Sequence, residues 1–104
     1  MTDRLSKSEV RARLRGLARW TIRRDSFTPV PSLHREFKFL DFVHALRFVE
    51  RVAKAAERLG HHPDIHIVRY NIVIVSIYTH SVKGLTDRDF ELAHLIDRVR
   101  IRRR

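Results

Sequence analysis

Apolar residues recur at helical spacing through the middle of the chain. Between Asp41 and Gly60 they stand three or four positions apart: Phe42, Ala45, Leu46, Val49, Val52, Ala53, Ala56 and Leu59. This spacing predicts an amphipathic helix that buries one face. Asp41 is a favourable N-terminal cap, and Gly60 stands where a helix commonly ends in the left-handed conformation. The pattern therefore predicts both ends of this helix.

Two more helices are predicted near the ends of the chain. Ser6 and Glu9 have the spacing of a capping box, and apolar residues follow at helical spacing through residues 7–18. Thr86 and Asp89 form a similar start, with Asp in place of Glu. The last helix then has an apolar face made of Phe90, Leu92, Ala93, Leu95, Ile96 and Val99.

Four segments have the composition of β-strands. Trp20 and Ile22 alternate with arginines, and residues 33–39 alternate in polarity after a turn-rich loop at 26–32. Residues 65–70 and 72–78 are rich in β-branched and aromatic side chains. The order α-β-β-α-β-β-α makes each strand pair adjacent in the chain. We therefore expect a two-layer α+β fold, in which three helices cover one face of a four-stranded antiparallel sheet.

Length and composition restrict the class of protein. A chain of 104 residues that is 43% hydrophobic and 33% charged suits a single domain over residues 1–104. No apolar stretch is long enough to span a membrane, and the charged N-terminus does not resemble a signal peptide. We therefore expect a cytoplasmic protein. The absence of cysteine excludes disulfides, a thiol nucleophile and a thiolate metal site.

The chain is strongly basic. Twenty-two Lys and Arg against twelve Asp and Glu give a formal charge of +10, and the excess is concentrated near the two ends. Arginine dominates a basic C-terminal tail at residues 100–104. Basic ends on a more balanced body favour loose attraction to phosphates or to an acidic macromolecular partner over the reading of a DNA sequence.

Three histidines form the candidate chemistry. His61 and His62 follow the predicted end of the central helix, and His80 is expected to lie at the end of the last strand. If these two ends meet at one rim of the sheet, the three imidazoles share a pocket. Histidine titrates near neutral pH, so one ring can donate a proton while another accepts one. Glu57, one helical turn before His61, can orient a ring, and Asp89 can face the same rim.

The same residue types also occur without a catalytic role. Paired histidines in a loop are often solvated and inactive, and a trio of histidines can hold zinc. Adjacent histidines are nevertheless poor ligands for one ion. Asp89 can also serve only as a carboxylate at the N-terminus of a helix.

An ordered series of motifs resembles the pterin-4a-carbinolamine dehydratases. The series consists of Glu57-x3-His61-His62-Pro63-Asp64, Tyr70, Thr79-His80, Gly84-Leu85-Thr86 and Asp89, within a resemblance over about residues 20–99. The resemblance implies a four-stranded antiparallel sheet with three helices. It also implies an enzyme that removes water from a 4a-hydroxytetrahydropterin to give a quinonoid dihydropterin, in the recycling of tetrahydropterin. No metal or organic cofactor is implied.

The resemblance also implies roles for individual residues. By position, His61 and His80 resemble an acid–base pair. His62 resembles a residue that binds and orients the pterin, with a share in the proton transfer as the alternative, so all three histidines are candidate catalytic residues. The substrate-binding or supporting residues that it implies are Glu57, Pro63, Asp64, Thr79 and Asp89. A homodimer or homotetramer is expected. Some members of the family instead serve as protein-binding modules, either as dimerisation cofactors of a transcription factor or in assembly, which is the alternative function.

Overall fold

The computed structural model describes residues 3–24 and 29–104. Its helices are α1 (Lys7–Leu14), α2 (Phe42–Leu59) and α3 (Asp87–Asp97), and its strands are β1 (Thr21–Arg23), β2 (Ser32–Lys38), β3 (Asp64–Val68) and β4 (Ile72–Ile77). The predicted order α-β-β-α-β-β-α is confirmed. Positions 25–28, within and beside the predicted loop at 26–32, lie outside the described residues.

The four strands form one antiparallel sheet in the order β1-β2-β4-β3. Each strand pairs with its neighbour along the chain, and the two pairs join through β2 and β4. In this central pairing Leu33 stands opposite Ile77, and Phe37 stands opposite Val73. Because side chains alternate across a strand, this register directs Leu33 and Phe37 of β2 and Val73, Val75 and Ile77 of β4 to the same face.

The helices bury that apolar face. Val73, Val75 and Ile77 of β4 are inaccessible to solvent. Phe48 of α2 packs between Phe37 and Phe39, with ring centroids 4.6 and 4.7 Å away. Residues of α3 and the partly buried side chains of α1 join the same cluster. The predicted two-layer α+β fold, with its helices on one side of the sheet, is therefore confirmed.

Both ends of α2 follow from single residues. Asp41 caps the N-terminus because its Oδ1 accepts the His44 N–H at 2.9 Å, and this bond holds the pKa of Asp41 below its usual value. Gly60 ends the helix with φ 65° and ψ 32°. The chain then turns back, and the His61 N–H donates to the Ala56 carbonyl at 3.0 Å. The left-handed glycine thus fixes the point at which the first histidine leaves the helix.

Several predicted boundaries are wrong. Strand β3 ends at Val68, not at residue 70, because Arg69 and Tyr70 adopt positive φ in the turn to β4. Helix α1 ends at Leu14, not at residue 18. Turns at 15–16 and 18–19 follow it, and Leu17 and Trp20 enter the core. The last strand ends at Ile77, before His80. It ends there because the chain turns back at Thr79, whose N–H donates to the Gly84 carbonyl at 2.8 Å. His80 consequently begins a 3₁₀ turn, His80–Val82, instead of closing a strand.

The basic C-terminal tail returns to the sheet. Arg103 pairs with Phe39 in an isolated bridge, and the Arg104 N–H donates to the Lys38 carbonyl at 3.1 Å. Burial and the nearby Arg35 lower the pKa of Arg103. The tail therefore lies along the end of β2.

Within residues 3–24 and 29–104, none of the helices combines the length and the apolar character needed to cross a membrane.

Replacing Gly60 with alanine should lower the free energy of unfolding by about 1 kcal/mol, because an L-residue at φ 65° is strained. Urea denaturation measures this loss. The matched control is Gly16→Ala, whose added Cβ would meet only an ordinary contact with the His94 ring at 3.5 Å. Equal stability losses in the two variants would contradict the conformational explanation.

Candidate active site

A cleft of about 610 Å³ lies where the end of α2, the turn after β4 and the start of α3 come together. Its described lining consists of Asp3, Arg4, His61, Thr79, His80, Ser81, Val82 and Arg88. We call it the histidine cleft. Its two imidazoles come from segments nearly twenty residues apart, so the fold, not local sequence, brings them together.

A buried carboxylate stands behind the histidine cleft. Asp89 is inaccessible to solvent, and its Oδ1 lies 2.6 Å from Nε2 of His61. Its Oδ2 accepts the Thr86 N–H at 2.8 Å and the Thr79 hydroxyl at 2.7 Å. A carboxylate can be buried only when its oxygens are hydrogen-bonded, and here both of them are. Its place in the first turn of α3 adds the favourable end of the helix dipole.

This carboxylate determines which nitrogen of His61 is free. An ionised carboxylate only accepts hydrogen bonds, so the proton between His61 and Asp89 belongs to Nε2. Nδ1 is then the nitrogen available to a ligand. The His61 side chain is 12% exposed, which leaves its ring accessible from one side while its orientation is fixed.

His80 reaches the same cleft through a different connection. It is exposed and begins the 3₁₀ turn directly after Thr79. Because the Thr79 hydroxyl donates to Asp89, one carboxylate is hydrogen-bonded both to His61 and to the residue that precedes His80. Asp89 therefore ties together the two segments that carry these imidazoles.

His62 points to another environment. Its Nε2 is hydrogen-bonded to Oε2 of Glu57, and the His62 and Glu57 side chains are 65% and 75% exposed. Neither residue is among those lining the histidine cleft. The structure thus brings two of the three predicted imidazoles together, and it places the third beside the cleft with Glu57 as its partner.

The remaining predicted residues lie at the edge of this region. Pro63 is half-buried after the histidine pair, and Asp64 begins β3, where it pairs with Ser76. Neither residue lines the histidine cleft. Among the described residues, no three His, Asp or Glu side chains are grouped so that they could hold a metal ion.

Two arginines of the histidine cleft have no counterpart among the residues predicted from the sequence. The Arg88 guanidinium donates to the carbonyls of Leu59 and Gly60, so it closes the C-terminal end of α2 directly before His61. Arg4 arrives from the N-terminal segment, which is fixed because the Leu5 N–H donates to the Leu85 carbonyl at 2.8 Å. In the sequence, Arg88 stands between two acids at the start of α3, which is the one local feature that singles it out. No sequence pattern predicts that Arg4 lies in this cleft.

Replacing Asp89 with alanine should lower the free energy of unfolding by about 3 kcal/mol, because the variant removes the acceptor of the buried Thr86 N–H and of the partly buried donors on Thr79 and His61. Chemical denaturation provides the measurement. Asp87→Ala is the matched control, since Asp87 lies on the same helix turn but forms an exposed ion pair with Arg13. That variant should lose at most about 1 kcal/mol. A smaller loss for Asp89→Ala than for Asp87→Ala would contradict the role given to the buried network.

Comparison with known proteins connects this geometry to a family. A family model described as pterin 4 alpha carbinolamine dehydratase matches residues 3–99. A protein of Solibacter usitatus, provisionally named as such a dehydratase, is 40% identical over 97 residues, which are 93% of this chain and 95% of that protein. Another from Acidobacterium capsulatum, with the same provisional name, is 43% identical over 93 residues, 89% of this chain and 94% of that protein.

Solved structures agree with the fold. A protein of Brucella melitensis described as a transcriptional coactivator/pterin dehydratase superposes with a TM-score of 0.79 at 36% identity, covering 91% of this chain and 96% of that one. A pterin dehydratase-like protein identified as a RuBisCO assembly factor in the alpha-carboxysome shares the fold, with a TM-score of 0.59 at 20% identity over 75% of this chain and 84% of that one. The matched segment contains every residue of the histidine cleft, and the chain belongs to the pterin-4-alpha-carbinolamine dehydratase family.

Proposed function

We propose that this protein is a hydro-lyase that converts a 4a-hydroxytetrahydropterin to the quinonoid dihydropterin, in the recycling of a tetrahydropterin cofactor. The observation that carries the proposal is the juxtaposition of His61 and His80 in one cleft, with Asp89 hydrogen-bonded to the first ring. Membership of the dehydratase family supports the reaction class.

The reaction needs one proton donor and one proton acceptor. The C4a–O bond of the substrate breaks, and the departing hydroxyl takes up a proton and leaves as water. N5 loses its proton, and an electron pair of N5 forms the second bond of the C4a=N5 double bond in the product. One proton is delivered and one is removed, so the step consumes no oxidant or reductant. Imidazoles carry out both transfers well near neutral pH.

The two imidazoles of the histidine cleft supply these transfers in the proposal. Asp89 holds the His61 ring in place with Nδ1 free to transfer a proton. His80 is exposed and can exchange protons with water between turnovers. His62, with its ring held by Glu57 at the rim, would contact and orient the pterin. Pro63, Asp64 and Thr79 then support the positions of these groups.

Protein binding is the second candidate function. Large apolar side chains remain exposed around the start of α2, and they include Phe42 at 48% and Val43 at 51%. Leu40 and Leu46 extend this surface. An exposed apolar patch on a domain of this size is typical of an interaction site. We propose that it forms the contact of a homodimer or homotetramer, and a protein partner could use the same surface.

Dehydration of freshly generated 4a-hydroxytetrahydropterin, followed by absorbance, tests the proposed reaction. The wild-type protein should accelerate the loss of this intermediate. His61→Ala and His80→Ala should each lower kcat about 100-fold or more, because each removes one of the two proton-transfer groups. His62→Ala should mainly raise KM, since this residue orients substrate in the proposal.

His94→Ala is the matched control for these histidine variants. His94 is exposed on α3 and does not line the histidine cleft, so its removal should leave kcat and KM unchanged. If the folded wild-type protein gives no acceleration, the dehydratase proposal is wrong, and protein binding through the start of α2 becomes the function to test.

A further inference from the structure

A second cleft lies beside the histidine cleft and is strongly cationic. It measures about 770 Å³ and is formed by the N-terminal segment with α1, the end of β1 and the turn before α3. Five of its described lining residues are basic: Arg4, Lys7, Arg11, Arg24 and Lys83. We call it the cationic cleft. Leu5 and Leu85 contribute apolar surface.

Positive charges outnumber carboxylates among the described lining residues of this cleft. Among its described lining residues, Glu9 is the one acid. Its Oε1 already accepts the Ser6 N–H at 2.8 Å, as part of the capping box of α1, and this hydrogen bond lowers the pKa of Glu9. A cleft whose described lining carries an excess of positive charge attracts anions and raises their local concentration. The expected occupant therefore carries negative charge.

The two clefts adjoin each other across one turn. His80, Ser81 and Val82 line the histidine cleft, whereas the next two residues, Lys83 and Gly84, line the cationic cleft. Arg4 lines both. Its side chain crosses the turn at Gly84, where an added Cβ would lie 2.6 Å from Cδ of Arg4. The missing side chain of Gly84 thus allows an arginine side chain to form the boundary between the clefts.

We propose that the substrate's pterin ring binds in the histidine cleft and that its side chain carries an anionic group, a carboxylate or a phosphate, into the cationic cleft. The inference rests on the proposed function and specifies its substrate class. A side chain that ended in hydroxyl groups would leave the five cations of the described lining with Glu9 as their one acidic neighbour in that lining. A phosphate or carboxylate would accept charge-assisted hydrogen bonds from the lysine and arginine side chains.

Binding of non-reacting dihydropterins tests the proposal directly. Isothermal titration calorimetry would compare 7,8-dihydroneopterin with its 3′-phosphate, two ligands that differ only in the anionic group. At low ionic strength the wild-type protein should bind the phosphate about 10-fold more tightly, and the difference should shrink as salt screens the charges. Dihydrofolate tests the carboxylate in the same way. A higher affinity for either anionic ligand than for dihydroneopterin supports the inference and identifies the preferred anionic group.

Lys7→Gln combined with Lys83→Gln should reduce the preference to about 2-fold while leaving the affinity for dihydroneopterin unchanged, because fewer cations then face the anionic group. These lysines line the cationic cleft but not the histidine cleft, so the variant removes charge without altering the proposed reaction site. The control is Arg102→Gln, which removes an exposed charge from the C-terminal tail, outside both clefts.

Two results would overturn the inference. The first is equal affinity of the wild-type protein for the neutral and anionic ligands. The second is a preference for the anionic ligand that persists unchanged in the double lysine variant, or that falls in Arg102→Gln as much as in the double lysine variant. In either case, acceleration of dehydration with a neutral pterin substrate would show that the proposed function survives. If no dihydropterin binds and no pterin substrate is dehydrated, the proposed function itself fails, and the inference fails with it.

Discussion

The buried carboxylate of Asp89 is the constraint on which the site depends. A negative charge removed from water must be compensated by hydrogen bonds, and Asp89 obtains them from three separate segments. The Thr86 N–H comes from the start of α3, the Thr79 hydroxyl from the turn after β4, and His61 from the loop after α2. Because these partners converge on one group, the segments cannot shift independently of one another. The same interaction therefore stabilises the fold and orients a candidate catalytic ring.

The ends of α2 and β4 supply the geometry that this interaction needs. The turn after β4 and the loop after α2 meet at Asp89, and the left-handed Gly60 ends α2 directly before that loop. The Arg88 guanidinium then donates hydrogen bonds to the carbonyls of Leu59 and Gly60 at this helix end. Stability and function are thus coupled locally, since the groups that end α2 also determine the position of His61.

Local patterns predict the elements whose causes are local. Helix α2 begins after Asp41 and ends before Gly60, as predicted, because a cap and a left-handed glycine act on their immediate neighbours. The capping box of Thr86 and Asp89 is also predictable, but the contact of Asp89 with His61 depends on tertiary packing across 28 positions. The turn at Thr79, which removes His80 from the strand, arises from pairing with Gly84 and has no periodic signal.

The tautomer of His61 is the property that Asp89, as a buried carboxylate, fixes most directly. Nitrogen-15 NMR of the histidine side chains near neutral pH measures it, with His61 assigned by comparison with His61→Ala. We expect neutral His61 to be protonated at Nε2, with the lone pair on Nδ1, and to hold this state more uniformly than exposed His94 does. A His61 ring protonated at Nδ1, or one that exchanges equally between the two tautomers, would contradict the role of Asp89.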